Sequence, residues 1–230
     1  MTFVSKRMKK MVEGLDQNKF YTVAEALKIL KEKSTVKFDE TVDIAMNLGI
    51  DVKQSDQNVR GMVSLPNGTG KKCVVAVFAK GPKATEAKEA GADLVGDDDL
   101  IESIQKGQIN FDRCIATPDM MAVLGKVAKI LGPKGLMPNP KLGTVTMDVK
   151  GAVNKAKAGQ VEYRAEKSGI VHAGLGKLSF GEQKLEENVR AFVEVIQKAK
   201  PASSKGTYLK AVSLSTTQGV GLKIDLADLR

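Results

Sequence analysis

Pro66-Asn67-Gly68-Thr69-Gly70-Lys71-Lys72-Cys73-Val74-Val75-Ala76-Val77-Phe78-Ala79 is the stretch in which the hydrophobic pattern of this chain changes character. A cluster of chain-breaking residues gives way to a continuous apolar run. Upstream, Val42, Ile44, Met46, Leu48 and Ile50 alternate with Thr41, Asp43, Ala45, Asn47 and Gly49. Successive side chains of a strand point to opposite faces, so this alternation predicts a half-buried strand in an antiparallel sheet with one wet face. Val59, Gly61, Val63 and Leu65 predict its partner strand. The run 73–79 instead predicts a strand covered on both faces, as in a parallel sheet flanked by helices.

Outward toward the N-terminus, Val4, Met8, Met11, Val12 and Leu15 form one stripe at helical spacing, with Lys6, Arg7, Lys9 and Lys10 largely off it. Thr22-Val23-Ala24-Glu25 has the form of a capping box and opens a helix striped by Val23, Ala26, Leu27 and Leu30. Toward the C-terminus, a helix over 82–90, a short strand at 93–95, a helix marked by Leu100, Ile101 and Ile104, and a strand at 113–116 follow. Thr117-Pro118-Asp119 starts a helix with a buried stripe of Met121, Leu124, Val127, Ala128 and Leu131. Val149, Ala152, Val153 and Ala156 mark the next. Strands alternating with helices predict a small parallel α/β unit. From Val161, Tyr163 and Ala165 the alternating pattern returns. It continues through a strand over 170–178, a helix striped by Leu185, Val189, Phe192, Val193 and Ile196, and two strands over 208–217 and 220–226 broken at Gln218-Gly219. The expected fold is therefore a discontinuous α+β domain, an antiparallel sheet with helices, built from 1–67 and 160–230. A Rossmann-like three-layer α/β domain, 68–159, interrupts it, and the two chain crossings between them form a hinge.

The net charge is +9, divided as +5 and +4 between those two segments, so neither is a detachable basic tail. Such a surplus favours polyanionic partners. Tryptophan is absent and aromatic residues are few, which argues against a binder built on rows of stacking rings. A structured RNA read by shape, backbone and hydroxyl contacts fits better. No apolar run is long enough for a membrane span, and the N-terminus carries no secretory h-region. Cys73 and Cys114 lie in apolar runs and predict two reduced core thiols in a cytoplasmic protein.

Enzyme chemistry finds little support. Asn67-Gly68-Thr69-Gly70-Lys71-Lys72 resembles a phosphate loop, but Leu65 stands where the first glycine is needed and Lys72 where Ser or Thr is needed. No Gly-x-Gly-x-x-Gly follows the 74–78 strand. His172 is the only histidine, so a two-histidine metal site cannot form. Asp97-Asp98-Asp99 lacks the spacing of a calcium loop and reads as an acidic helix start. No catalytic residue, metal or cofactor is expected. Among candidate binding residues, Phe38 could pack on a sugar or base with Lys37 on a phosphate; a core phenylalanine is the alternative, and the residues alone favour it. Ser213, Ser215 and Thr217 share one strand face, which suits ribose hydroxyls or is a plain wet face. Gly219 permits close backbone approach.

Leu131-Gly132-Pro133-Lys134-Gly135-Leu136-Met137-Pro138-Asn139-Pro140-Lys141-Leu142-Gly143-Thr144-Val145 holds three of the seven prolines. No helix or strand interior tolerates that density, and a long ordered loop is more often functional or joins two bodies. It presents Lys134 and Lys141, with Leu136 and Met137 as apolar residues held out on a loop. This stretch resembles the signature loop of the bacterial ribosomal protein "L-one" family, the first-numbered protein of the large subunit. Lys37-Phe38-Asp39-Glu40-Thr41-Val42, Tyr163-Arg164, Gly169-Ile170-Val171-His172-Ala173, Gly176-Lys177-Leu178-Ser179-Phe180 and Ser213-Leu214-Ser215-Thr216-Thr217-Gln218-Gly219 match the family's pattern in order and spacing.

The resemblance implies a two-domain protein of the mobile stalk beside the tRNA exit site, without catalytic activity. Its implied partners are 23S rRNA, the large ribosomal subunit, tRNA at the exit site and its own operon's mRNA, whose translation it represses. It implies a monomer when free, no membrane association, and a cytoplasmic, ribosomal location. The matching rRNA- and mRNA-binding positions are Lys37, Phe38, Thr41, His172, Lys177, Ser213, Ser215, Thr217 and Gly219. The family's usual Met is replaced by Gln218, which stands within that set. Gly174-Leu175 replaces the commoner Pro or Thr followed by Ile or Val. The alternatives are a free RNA-binding translational regulator and a nucleotide-using enzyme of the inserted α/β domain.

Overall fold

The computed structural model describes residues 5–16 and 19–229. Val4, placed first in the N-terminal stripe, lies outside them. The chain forms two compact units. One comprises the chain up to Gly70 together with the chain from Val161, and the other is Lys71–Gln160.

In chain order, α1 (Lys6–Val12) starts at Ser5, whose hydroxyl accepts from the Met8 amide at 3.3 Å. Met11 is buried, and Met8, Val12 and Leu15 pack against the core. Next comes β1 (Phe20–Tyr21), too short for its alternation to be legible in the sequence. In α2 (Val23–Glu32) the predicted capping box is closed on both sides. The Glu25 amide donates to the Thr22 hydroxyl at 3.3 Å, and the Thr22 amide to the Glu25 carboxylate at 3.4 Å. After β2 (Thr41–Leu48) and β3 (Arg60–Ser64) come β4 (Val75–Phe78), α3 (Pro82–Glu89), β5 (Leu94–Gly96), α4 (Asp98–Gln105) and β6 (Arg113–Ala116). Short turns of helix, including α5 (Met121–Leu124) and α6 (Ala128–Leu131), precede α7 (Val149–Lys157). The chain ends with β7 (Gln160–Arg164), β8 (Ile170–Lys177), α8 (Glu182–Lys198), β9 (Leu209–Thr216) and β10 (Gly221–Ile224).

The first unit is built on a five-stranded sheet in the order β1-β10-β9-β2-β8. Its strands β8, β2, β9 and β10 pair antiparallel, and β1 joins the edge in parallel. The alternation along β2 is realised: Val42, Ile44, Met46 and Leu48 are buried, Asp43 and Asn47 exposed. The partner expected for it is not the one found. β3 pairs with β7 in a separate two-stranded sheet, and β8 and β9 take the two edges of β2. Alternation reports that a strand is half-buried; it does not report its neighbour. Helices α2 and α8 cover the apolar face, and Leu185, Val189, Phe192, Val193 and Ile196 of α8 are all buried there. Tyr163 meets Phe192 edge to face, with ring centroids 6.0 Å apart. Because both helices lie on one side, the other face of the sheet stays wet.

The second unit has a three-stranded parallel sheet in the order β5-β4-β6. All of β4 is buried, as the unbroken apolar run requires. Ala76, Phe78, Cys114 and Ala116 point into one apolar cluster with Ile101, Ile104, Met120, Leu124, Val127 and Leu131. Val75, Val77 and Ile115 point into the other, with Ala87, Val149, Val153 and Ala156. Helices thus cover both faces, giving a mixed α/β structure. Cys73 is only half-buried, whereas Cys114 is buried. The helix expected over 117–131 is broken into short turns, with Pro118 in the first and Gly125 between α5 and α6. A glycine in a helix interior costs about 1 kcal/mol relative to alanine. The buried stripe is Met120, Leu124, Val127 and Leu131; Met121 and Ala128 are only half-buried. Leu136 and Met137 are not held out in solvent but pack against the first cluster. Gly135, at φ 71°, turns the chain so that the Leu136 amide donates to the Leu131 carbonyl at 3.0 Å.

Candidate nucleic-acid interface

Strand register decides which polar residues meet. Ala45 of β2 stands opposite His172 on β8 and opposite Ser213 on β9, and Ser213 stands opposite Lys223 on β10. One step along, Asp43 is flanked by Gly174 and Ser215, and Ser215 faces Gly221. At the end of the sheet, Thr41 is flanked by Lys177 and reached by Thr217, whose amide donates to the Thr41 carbonyl at 3.1 Å. Seven sequence-predicted residues therefore assemble on or beside one wet face: Thr41, His172, Lys177, Ser213, Ser215, Thr217 and Gly219.

Lys37 and Phe38 precede β2 and are both exposed, with Phe38 at 50%. The alternative of a core phenylalanine is thereby set aside. Their loop is held from behind. The Glu40 carboxylate, itself buried, accepts from the Ser34 hydroxyl at 2.6 Å, and the Glu40 carbonyl from the Leu178 amide at 2.8 Å. Asp39 accepts from the Ser179 amide at 3.2 Å and the Ser179 hydroxyl at 2.7 Å. Lys177 Nζ donates to the Asp39 carbonyl at 3.1 Å and to the Thr41 hydroxyl at 2.9 Å. An ammonium has three donors, so one is left for a ligand. A loop fixed in this way loses little conformational freedom on binding.

The β9–β10 turn is equally constrained. Thr217 Oγ1 accepts from the Thr41 amide at 3.0 Å and lies 3.4 Å from the Thr41 carbonyl. That hydroxyl holds the turn against β2 rather than standing in an open row with Ser213 and Ser215. Gln218 has φ 62°, the one positive value among described non-glycine residues. Arg7 of α1 secures it, donating to the Gln218 side-chain oxygen at 3.2 Å and carbonyl at 3.0 Å. Gly219 packs closely on its neighbour: a Cβ there would lie 2.0 Å from Thr216 Oγ1, so that side chain would have to move. Space is also tight at Gly174, where a Cβ would lie 3.2 Å from Asp43 Oδ1.

Asp43 puts a carboxyl in the middle of this basic face. Partial burial raises its pKa from the ordinary value, opposed by the charges of Lys177 and His172. Sequence reasoning passed over Asp43 because it occupies an ordinary outward position on a strand. Asp39 and Ser179 lie inside the quoted motifs, but their contact with each other, like that of Arg7 with Gln218, appears only in the folded chain.

Lys134 and Lys141 belong to the other unit and are exposed on its proline-rich loop. Asn139 orders that loop by accepting from the Lys141 amide at 2.9 Å. The stretch that looked like a phosphate loop has a structural role. The buried Asn188 of α8 accepts from the Asn67 amide at 3.1 Å and donates to the Gly68 and Leu175 carbonyls at 3.0 and 2.8 Å.

The family model of the ribosomal protein L1p/L10e family matches residues 30–220. The chain belongs to that family. Membership makes it a ribosomal protein of the large subunit that binds RNA, within a structural, non-enzymatic family. The L1p/L10e match spans every sequence-predicted interface residue, from Lys37 to Gly219. It leaves α1, β1 and β10 outside. Among the described residues no helix is long and apolar enough to cross a membrane.

Proposed function

We propose that this L1p/L10e protein binds 23S rRNA at the mobile stalk of the large subunit through the wet face of the five-stranded sheet. The observation that carries the reading is the register that gathers Thr41, His172, Lys177, Ser213 and Ser215, with Thr217 bonded to Thr41, beside the exposed Lys37 and Phe38. Lys37 and Lys177 contact phosphates, Ser213 and Ser215 meet ribose and phosphate oxygens, and Phe38 packs on a base or sugar. Thr217, Gln218 and Gly219 shape the turn against which the RNA backbone lies. The segment up to 67 with 160–230 acts as the RNA-binding domain, and 68–159 as an inserted domain presenting Lys134 and Lys141. By resemblance, the protein assists release of deacylated tRNA from the exit site. It also represses its own operon by binding an mRNA of similar shape, and is monomeric when free.

The test is binding to the isolated stalk rRNA fragment and to a scrambled RNA of equal length over a salt series. Each phosphate contact steepens the salt slope by about 0.7–0.9. Tight binding to the stalk fragment alone, surviving physiological salt and weakened by Thr217→Val and Phe38→Ala, is the expected result. Equal, salt-erased binding to both RNAs would overturn the reading.

A further inference from the structure

Two of the three large hydrophobic side chains exposed among the described residues, Phe20 (62%) and Phe38 (50%), belong to the first unit, and both border the same sheet face. Phe38 stands before β2, at the Thr41 end. Phe20 stands on the edge strand β1, in register with Lys223 of β10. The row across the sheet then runs Phe20, Lys223, Ser213, Ala45, His172. Phe20, Lys223 and His172 are exposed, while the flanking Tyr21, Leu222 and Ile224 are buried, so the row lies on the wet face. Four strand steps of about 4.8 Å make it about 19 Å long. Asp225, the acid that follows β10, has a carboxylate that accepts from the Ala227 amide at 2.9 Å. A single exposed apolar residue needs no explanation by itself. An exposed phenylalanine in line with a lysine, a serine and a histidine on a basic protein has the composition of a single-strand contact, a ring to stack on and a cation for the backbone.

We infer that the RNA interface continues past the family-matched residues onto β10 and β1, where Phe20 stacks on an unpaired nucleobase and Lys223 contacts a neighbouring phosphate. Both lie outside the matched span 30–220. The inference rests on the proposed rRNA reading.

The chain has no tryptophan, so Phe20→Trp places a unique fluorophore at the edge. Titration of that variant with the stalk fragment should quench its emission at the concentration where binding is half complete, with affinity retained. Phe20→Ala should weaken binding at least about 5-fold, in line with the loss of one base–aromatic stack, while leaving the salt slope and melting temperature unchanged. Lys223→Gln should reduce the slope by about 0.7–0.9. Wild-type affinity in Phe20→Ala and an unquenched Phe20→Trp variant, alongside a Phe38→Ala variant that loses binding, would overturn the extension and leave the rRNA reading standing. If Phe38→Ala and Thr217→Val also bind normally, the rRNA face and its extension fall together.

Discussion

Tyr208 and Asn188 show how differently two buried polar side chains can stand. The Tyr208 hydroxyl is buried without a hydrogen-bond partner, and burial, aided by Tyr163, pushes its pKa up to about 12. The unfolded chain releases that proton near pH 10 and the folded chain holds it. Stability from this group is therefore complete below pH 10 and lost as pH rises toward 12. Tyr208→Phe should leave stability at pH 7 unchanged or higher and flatten the alkaline decline, measured by urea unfolding at pH 7 and pH 11. Asn188 is the opposite case, with three backbone groups depending on it. Asn188→Ala should cost about 3 kcal/mol, since buried groups left unsatisfied carry desolvation penalties of roughly 1–3 kcal/mol each. A fall of the urea midpoint smaller than that of an exposed control substitution would contradict this. Asn188 could not be picked from the sequence. It lies inside the apolar stripe of α8, and a polar residue there signals a partner without naming it.

At the scale of elements, termini and faces were legible and neighbours were not. The capping box at Thr22 needs only four consecutive residues, and both of its hydrogen bonds are present. Thr22→Ala should lower stability by about 1 kcal/mol, read from the unfolding midpoint, with RNA affinity retained because α2 lies on the covered face of the sheet. The stripes of α2 and α8 and the alternation of β2 were equally local, and their buried residues are those the period specifies. The pairing of β3 with β7 was hidden because about a hundred residues separate the two strands and no local feature links them. The helix over 117–131 failed differently. Its apolar spacing was sound, but the pattern could not show that Pro118 and Gly125 would break the run into short turns and shift the buried face to Met120.

On the scale of the whole molecule, a net charge of +9 attracts any polyanion, and attraction alone does not discriminate. Asp43 supplies the opposing term. A carboxylate between Gly174 and Ser215 repels phosphate unless the RNA is shaped to avoid it, and a built-in repulsion of this kind sharpens specificity. Asp43→Asn should therefore tighten binding to scrambled RNA more than to the stalk fragment, narrowing the ratio between them. Equal tightening of both would show that Asp43 acts only through total charge. Partial burial raises the Asp43 pKa, so its charged form is disfavoured in the fold and stability falls as pH rises through that value. The substitution should accordingly cost no stability at pH 7, checked by thermal unfolding.

The periods of the elements, the change from half-buried to fully buried strands at 66–79 and the resemblance to a ribosomal family could all be read along the chain. Each of these depends on residues close together in the chain or on their order along it. Folding was needed to show that Thr217 locks onto Thr41, that Arg7 supports Gln218, that Asn188 holds the 67–68 turn, and that Phe20 and Lys223 stand in line with Ser213 and His172. Those relations join residues far apart in the chain. Their geometry is set by strand register and by the packing of α1 and α8, which no local pattern encodes.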